Sequence, residues 1–194
     1  MAKLDVLPAT FTPSEAATLG VRRHEVYAMR DAGEIFAISR GVYRKASAPA
    51  TTHLDLIAVA KRAPRAIVCL VSALAVHDLT DEIPREVHIA VPRGISAPHI
   101  EFPPVRVSRF EAATFTVGRT MFEAAPREQI PLYSAERSVV DAVRLRHVVG
   151  DAVAYRALRA YLAQPGAQPA TLLDMGRRLG DTSALRHAIQ VALA

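Results

Sequence analysis

The stretch TPSEAATLGVRRHEVYAMRDAGEIFAISRGVYRK, Thr12 to Lys45, constrains the fold more than any other part of the chain. Its opening, Thr12-Pro13-Ser14-Glu15, carries the parts of a helix start. Thr12 has a hydroxyl that can cap, Pro13 sits at the first helical position where a missing N–H costs nothing, and Glu15 falls at N3 to close a capping box. Gly20 ends that helix after Leu19 by taking a left-handed backbone. A second helix is predicted over about Arg23 to Ala32, with Val26 and Met29 three apart on one face and Gly33 as its stop. Glu34 to Ile38 and Val42 to Lys45 are predicted as short strands around Ser39-Arg40-Gly41, where Gly41 supplies the positive φ of a tight hairpin.

Helix, glycine turn, helix and hairpin in this order make a winged helix-turn-helix, whose second helix meets base edges in the major groove with its N-terminal end. With Val26 and Met29 inward, Arg23, Tyr27 and Arg30 fall at i, i+4 and i+7 on the outer side, and Arg22 and His24 lie at the helix start. Arginine suits bidentate pairing with guanine, and a tyrosine hydroxyl can reach a phosphate. Arg40 at the hairpin tip, with Arg44 and Lys45 on the returning strand, is expected to bring three more cations to where a wing meets the DNA backbone or minor groove. The candidate DNA-binding set is therefore Arg22, Arg23, His24, Tyr27, Arg30, Arg40, Arg44 and Lys45. Glu25, Asp31 and Glu34 dilute the positive face, so charge alone would also fit a solvated amphipathic helix pair; the combined spacing favours DNA.

At 194 residues the chain has room for one medium domain or two small ones, and with half of it apolar it is globular. The net charge of +5 comes mainly from arginine, since Lys3, Lys45 and Lys61 are the only lysines, and it agrees with an anionic partner without requiring one. Cys69 is the single cysteine, which excludes a disulfide framework or thiolate metal cluster. It lies in the apolar run Ala66 to Val76, where an inert buried thiol is expected. That run is too short to span a bilayer, and MAKLDVLPATF lacks a signal peptide's apolar segment, so a cytoplasmic protein without membrane association is expected.

Lys45 to Thr52, KASAPATT, reads as a linker, which divides the chain into residues 1–48 and 49–194. The segment before Thr12 offers one turn through Leu4 and Leu7, leaving the helix pair either minimal or covered from below by the rest of the chain. The second domain is predicted to begin with a helix over Leu54 to Arg62, capped by Thr51 or Thr52. A buried strand over Ala66 to Leu70, a short helix over Ser72 to His77 and a half-buried strand over Glu86 to Val91 follow. Pro92 to Pro104 is a proline-rich loop, Val105 to Phe110 a further strand, and Thr120 to Ala124 and Ile130 to Tyr133 weaker strands. The last third is helical: Ser134 to about Val148, a helix capped by Asp151 with the inward stripe Ala154, Ala157, Leu158 and Tyr161, and two more marked by Leu172, Met175 and Leu179 and by Leu185, Ala188, Ile189 and Ala192. The expected class is α+β, a winged helix-turn-helix followed by a mixed α/β domain that ends in helices.

Enzymatic constellations fail on spacing. The seven histidines include no i, i+3 or i, i+4 pair, no phosphate-cradling glycine loop precedes a Lys and Ser/Thr, and no Asp-x-Asp occurs. A nuclease core would need an acidic residue two before a lysine on a central strand of the second domain, and Lys61 is not preceded that way. Asp78, Asp81 and Glu82 read as a solvated loop, and Glu136, Arg137 and Asp141 as a capping and salt-bridge network. No catalytic function, metal or cofactor is implied, and the second domain is expected to be an interaction module.

Thr12-Pro13-x-Glu15-Ala16-Ala17-x-x-Gly20-Val21, then Ala32-Gly33-Glu34-Ile35, then Arg40-Gly41-Val42-Tyr43-Arg44 resembles the N-terminal winged helix of AbiEi-type antitoxins of bacterial toxin-antitoxin systems. Ser134-Ala135-Glu136-Arg137-Ser138-Val139-Val140-Asp141 is similar to the start of a helix in that family's C-terminal domain, so the likeness runs to about Leu162. Arg22 departs from the pattern, standing where relatives often have a Ser or Thr cap. The resemblance implies an antitoxin whose first domain binds inverted repeats of double-stranded DNA in its own promoter and represses the operon, with self-association on that DNA. It implies a second domain that counteracts a nucleotidyltransferase-type toxin, directly or functionally. The alternative is an antitoxin that neutralises its toxin by direct complex formation, with the winged helix as scaffold.

Overall fold

The computed structural model describes residues 3–180 and 182–193, and it is a mixed α+β structure. Two compact units form. One holds the chain up to Arg65 with Pro98–Val105 and Phe122–Ile130; the other holds Ala66–Ala97, Arg106–Met121 and the chain from Pro131.

In the first unit, β1 (Thr10–Phe11) leads into α1 (Pro13–Thr18) and α2 (Arg23–Asp31), followed by the hairpin β2 (Ile35–Ser39) and β3 (Val42–Lys45). The start of α1 follows the sequence: Glu15 N–H donates to Thr12 Oγ1 at 3.2 Å, and the Glu15 carboxylate accepts from Thr12 N at 2.7 Å. Burial pushes the Glu15 carboxyl up, but Lys61 at 2.7 Å and the Thr12 N–H together hold it below its ordinary value. A carboxyl so lowered stabilises the fold above its unfolded pKa, and that contribution fades as the pH falls through the lowered folded value. Gly20 and Gly41 adopt φ of +79° and +71°, the first closing α1 and the second turning the hairpin.

The strands form a three-stranded antiparallel sheet in the order β1-β3-β2, with Phe11 opposite Tyr43 and Ile35 opposite Lys45. Phe11, Ala16, Val21, Val26, Ile35 and Tyr43 pack together with Leu7, and Leu4 covers the edge of this core. Before Thr12 the chain makes the one turn its leucines offer, Leu7 N–H donating to Leu4 O at 3.3 Å, and both leucines pack on this core ahead of β1. Helix α3 (Leu54–Arg62) packs against β2 and β3, so the unit runs past the linker anticipated at residues 48 and 49. Its N-cap is His53, and Thr51 acts one step earlier, accepting from His53 N at 3.1 Å and donating to Ala124 O at 2.5 Å.

Beyond α3, β4 (Ile67–Val68) and α4 (Leu70–Val76) precede β5 (Val87–Pro92) and β6 (Val105–Phe110), then β7 (Arg119–Ala125) and β8 (Glu128–Tyr133). The sheet order is β6-β5-β4-β8-β7, mixed because β4 runs antiparallel to β5 and parallel to β8. Two segments differ from expectation. The apolar run from Ala66 yields only a two-residue strand before α4 begins at Leu70, and β5, expected to be half buried, is buried from Val87 to Val91 because it is an inner strand of the sheet.

Ser134 caps α5 (Ala135–Arg144), accepting from Arg137 N at 3.3 Å. The helix expected to reach Val148 breaks at Leu145 into a short α6 (Arg146–Val149). Asp151 is the first residue of α7 (Asp151–Leu162), and its cap position belongs to Gly150. Helices α8 (Pro169–Arg178) and α9 (Ser183–Leu193) complete a bundle around α5, with Val139, Val140, Val143, Ala154, Leu158 and Leu172 at its centre. Cys69 is fully buried, and burial, with Asp141 nearby, pushes its thiol pKa well up, which suits packing and not reactivity.

Candidate nucleic-acid interface

Helix α2 buries its anchors and exposes its cations. Val26 is 0% exposed and Met29 8%, whereas Arg22, Arg23, His24 and Arg30 are exposed and Tyr27 is half-buried among them. Arg23 Nε donates to the Tyr27 hydroxyl at 2.7 Å, and the guanidiniums of Arg23 and Arg30 lie 5.4 and 5.1 Å from the centre of the Tyr27 ring. Tyr27 is therefore a platform between two arginines. Stacking limits their rotamers, which lowers the ordering cost of binding an anion or a base edge.

Arg22 has no side-chain cap to offer, and Glu25 substitutes for one by accepting from Arg22 N at 2.7 Å. Glu25 also pairs with Lys3, and the Lys3 bond followed by the Arg22 N–H holds its carboxyl below the usual range. Lys3 thus joins the start of α2, a placement no local pattern could reveal across 22 positions. Asp31 pairs with Arg30 at 2.8 Å, with the two side chains 46% and 67% exposed. An ion pair this open is screened by water and exchanges readily for another anion.

The returning strand of the hairpin corrects part of the expected set. Arg40 stands at the turn with its side chain 80% exposed. Arg44 does not join it: β3 is the central strand, with neighbours along both edges, its residues Val42 to Arg44 are buried, and Arg44 is only 2% exposed. Its guanidinium donates to Thr10 Oγ1 at 2.6 Å and to Pro49 O at 2.7 Å, and it pairs with Glu128. Arg44 is structural. Lys45 lies opposite Ile35 at the base of the hairpin, about 15 Å along the strand from Arg40, so it is separate from the tip as well. If Arg44 is a structural pin, Arg44→Ala should destabilise the fold by about 3 kcal/mol, because it strands a mostly buried Glu128. Urea unfolding checks this, and an unchanged midpoint would return Arg44 to the list of surface contacts.

The structure brings Arg23 and Arg30 together across Tyr27, leaves Arg22 and His24 exposed at the start of α2, and exposes Arg40 at the hairpin turn. Among the described residues no helix is long and apolar enough to cross a membrane, and no group of three or more His, Cys, Asp or Glu is placed to hold a metal ion.

No family model matches the chain, and no curated protein matches it. Among solved structures it is similar to the crystal structure of the RV2827C protein from Mycobacterium tuberculosis, with a TM-score of 0.50 and 15% identity over 94% of this chain and 76% of that one. At that identity the likeness concerns the fold alone.

Proposed function

We propose that β1 to β3 with α1 and α2 act as a winged helix-turn-helix, and that the protein is a promoter-binding repressor and the antitoxin of a toxin-antitoxin operon. The observation that carries the DNA half is the row Arg23-Tyr27-Arg30, two exposed arginines stacked on one ring, on a helix anchored by the buried Val26 and Met29. A helix presented this way offers its N-terminal residues to the major groove, with a cationic hairpin turn available to a flanking backbone. One such head covers a single half-site, so two copies are needed on inverted repeats spaced by about one helical turn or a multiple. The antitoxin half rests on the resemblance of residues 12–45 and 134–141 to AbiEi-type antitoxins, and assigns to the second unit the counteraction of a nucleotidyltransferase-type toxin.

A gel-shift titration against the DNA upstream of the gene tests the first half. Salt-sensitive, repeat-dependent shifts are expected, and salt-insensitive or absent binding contradicts it. Co-expression with the neighbouring gene tests the second: relief of growth arrest supports it, and undiminished toxicity contradicts it. A second reading, direct toxin binding with the helix pair as scaffold, draws on Arg30 and Arg40 each facing a carboxylate of the chain itself. Stable co-purification with the neighbour, without DNA affinity, would favour it.

A further inference from the structure

The segment Pro98–Val105 belongs to the same unit as the hairpin, and together with α3 it encloses a hollow lined by Ser39, Arg40, Arg62, His99 and Glu101. The backbone of this segment is tied down at two points. Ser39 Oγ donates to Phe102 O at 2.5 Å, and Arg62 Nη2 donates to His99 O at 3.2 Å. The side chains of His99 and Glu101 are thereby presented at the hollow and not consumed in holding the loop. One oxygen, Glu101 Oε1, lies 3.4 Å from Arg40 Nη1 and 3.8 Å from His99 Nε2. That oxygen marks the point where Arg40 and His99 converge.

The carboxylate is a weak occupant. Arg40, Glu101 and His99 are 80%, 58% and 89% exposed in their side chains, and pairs this open add little to stability. Arg40 spends a single long contact on Glu101, and Arg62 a single N–H on the loop, so both guanidiniums keep most of their donors. Arg40 and the His99 imidazole already meet at one acceptor position and Arg62 lines the same hollow, a set that matches a tetrahedral oxyanion better than a lone carboxylate, since a phosphate accepts from several directions at once.

We propose that Arg40, Arg62 and His99 form a phosphate clamp in which Glu101 sits in the free protein and a DNA backbone phosphate replaces it on binding. The inference rests on the DNA-binding reading and extends its contact surface to two residues outside the helix pair and hairpin, Arg62 and His99. The clamp carries no base information, so it adds affinity evenly across sequences. Glu101 acts as a built-in competitor that weakens contacts with stray DNA.

Two arms test it on the full chain. In the first, inorganic phosphate is titrated while the backbone amide resonances of Ser39, Arg40 and Glu101 are followed by NMR. Saturable shifts are expected, stronger in Glu101→Gln and lost in Arg62→Ala; no saturation even in Glu101→Gln overturns the oxyanion site whatever the protein does with DNA. In the second, affinity for upstream DNA is measured against salt. Arg62→Ala is expected to bind about three- to tenfold more weakly and to lower the log–log salt slope by about 0.9, while Glu101→Gln binds about two- to fivefold more tightly, the scale of one exposed ion pair. Phosphate binding with an unchanged Arg62→Ala slope would mean that the site takes free phosphate and would overturn the DNA assignment alone. A wild-type protein with no salt-sensitive DNA affinity would overturn the repressor reading and this one together.

Discussion

Arg137→Ala is expected to cost about 3–5 kcal/mol and to disrupt the unit built around α5, because it removes one partner of a pair that water cannot reach. Arg137 and Asp141 side chains are each 2% exposed, and Arg137 Nε donates to Asp141 Oδ2 at 2.5 Å. The guanidinium also donates to Thr114 O at 3.0 Å and Val117 O at 2.7 Å, and it stacks 4.3 Å from the centre of the Tyr133 ring. Tyr133 in turn donates its hydroxyl to Phe115 O at 2.6 Å. One side chain therefore ties α5 to the turn before β7 and to the end of β8. Gly118 shows how closely that turn is drawn in: a Cβ there would sit 2.7 Å from Arg137 Cβ. Denaturant unfolding followed by circular dichroism measures the loss. Replacing both partners together, Arg137→Met with Asp141→Leu, should recover part of it, since no buried charge is then left alone; Arg144, 30% exposed, loses its 3.2 Å contact with Asp141, and Thr114 O and Val117 O lose a donor. A near-neutral Arg137→Ala would show that the network is dispensable.

Much of the first unit was legible because its signals are local. The capping box at Thr12 and Glu15, the glycine stops and the three-residue spacing of Val26 and Met29 each depend on neighbours within a turn, and the helices follow them to within a residue. Arg44 was misplaced for a tertiary reason. Alternation puts it on the same face as Val42, and with Val42 at 0% exposed that face is core; but whether a charged residue may follow depends on Glu128, 84 positions away. Separation along the chain also hid Arg62 and His99, which line one hollow with Arg40 only because α3 and the loop after Pro98 both return to the hairpin. In the other unit, the network of Arg137 with Asp141 was readable from their i, i+4 spacing, while Glu136 points elsewhere, accepting from the Tyr161 hydroxyl at 3.4 Å. The short β4 was over-extended because a continuous apolar run does not distinguish a strand from a buried helix start.

The largest functional effect is expected from α2. Arg23→Ala removes the N–H that bonds Tyr27 and Arg30→Ala removes the other side of the stack, so each change subtracts a donor group and loosens the remaining one. If each arginine reads a base, each substitution costs about 1–3 kcal/mol, or about 5- to 150-fold in affinity, and the two are expected to couple through the shared ring. Tyr27→Phe separates the effects: it keeps the platform and loses the hydroxyl, and a smaller loss than for either arginine is expected. Both arginines are exposed and Tyr27→Phe keeps the half-buried ring, so the melting curves should stay close to that of the wild type.

The account stands most directly on fluorescence anisotropy of labelled DNA from upstream of the gene, titrated with the wild type and with an Arg23→Ala, Arg30→Ala, Arg40→Ala triple variant at two salt concentrations. The prediction is tight, salt-sensitive binding by the wild type and a loss of at least about a hundredfold by a triple variant that remains folded. Equal binding by the two proteins would contradict the placement of the reading surface on α2 and the hairpin turn.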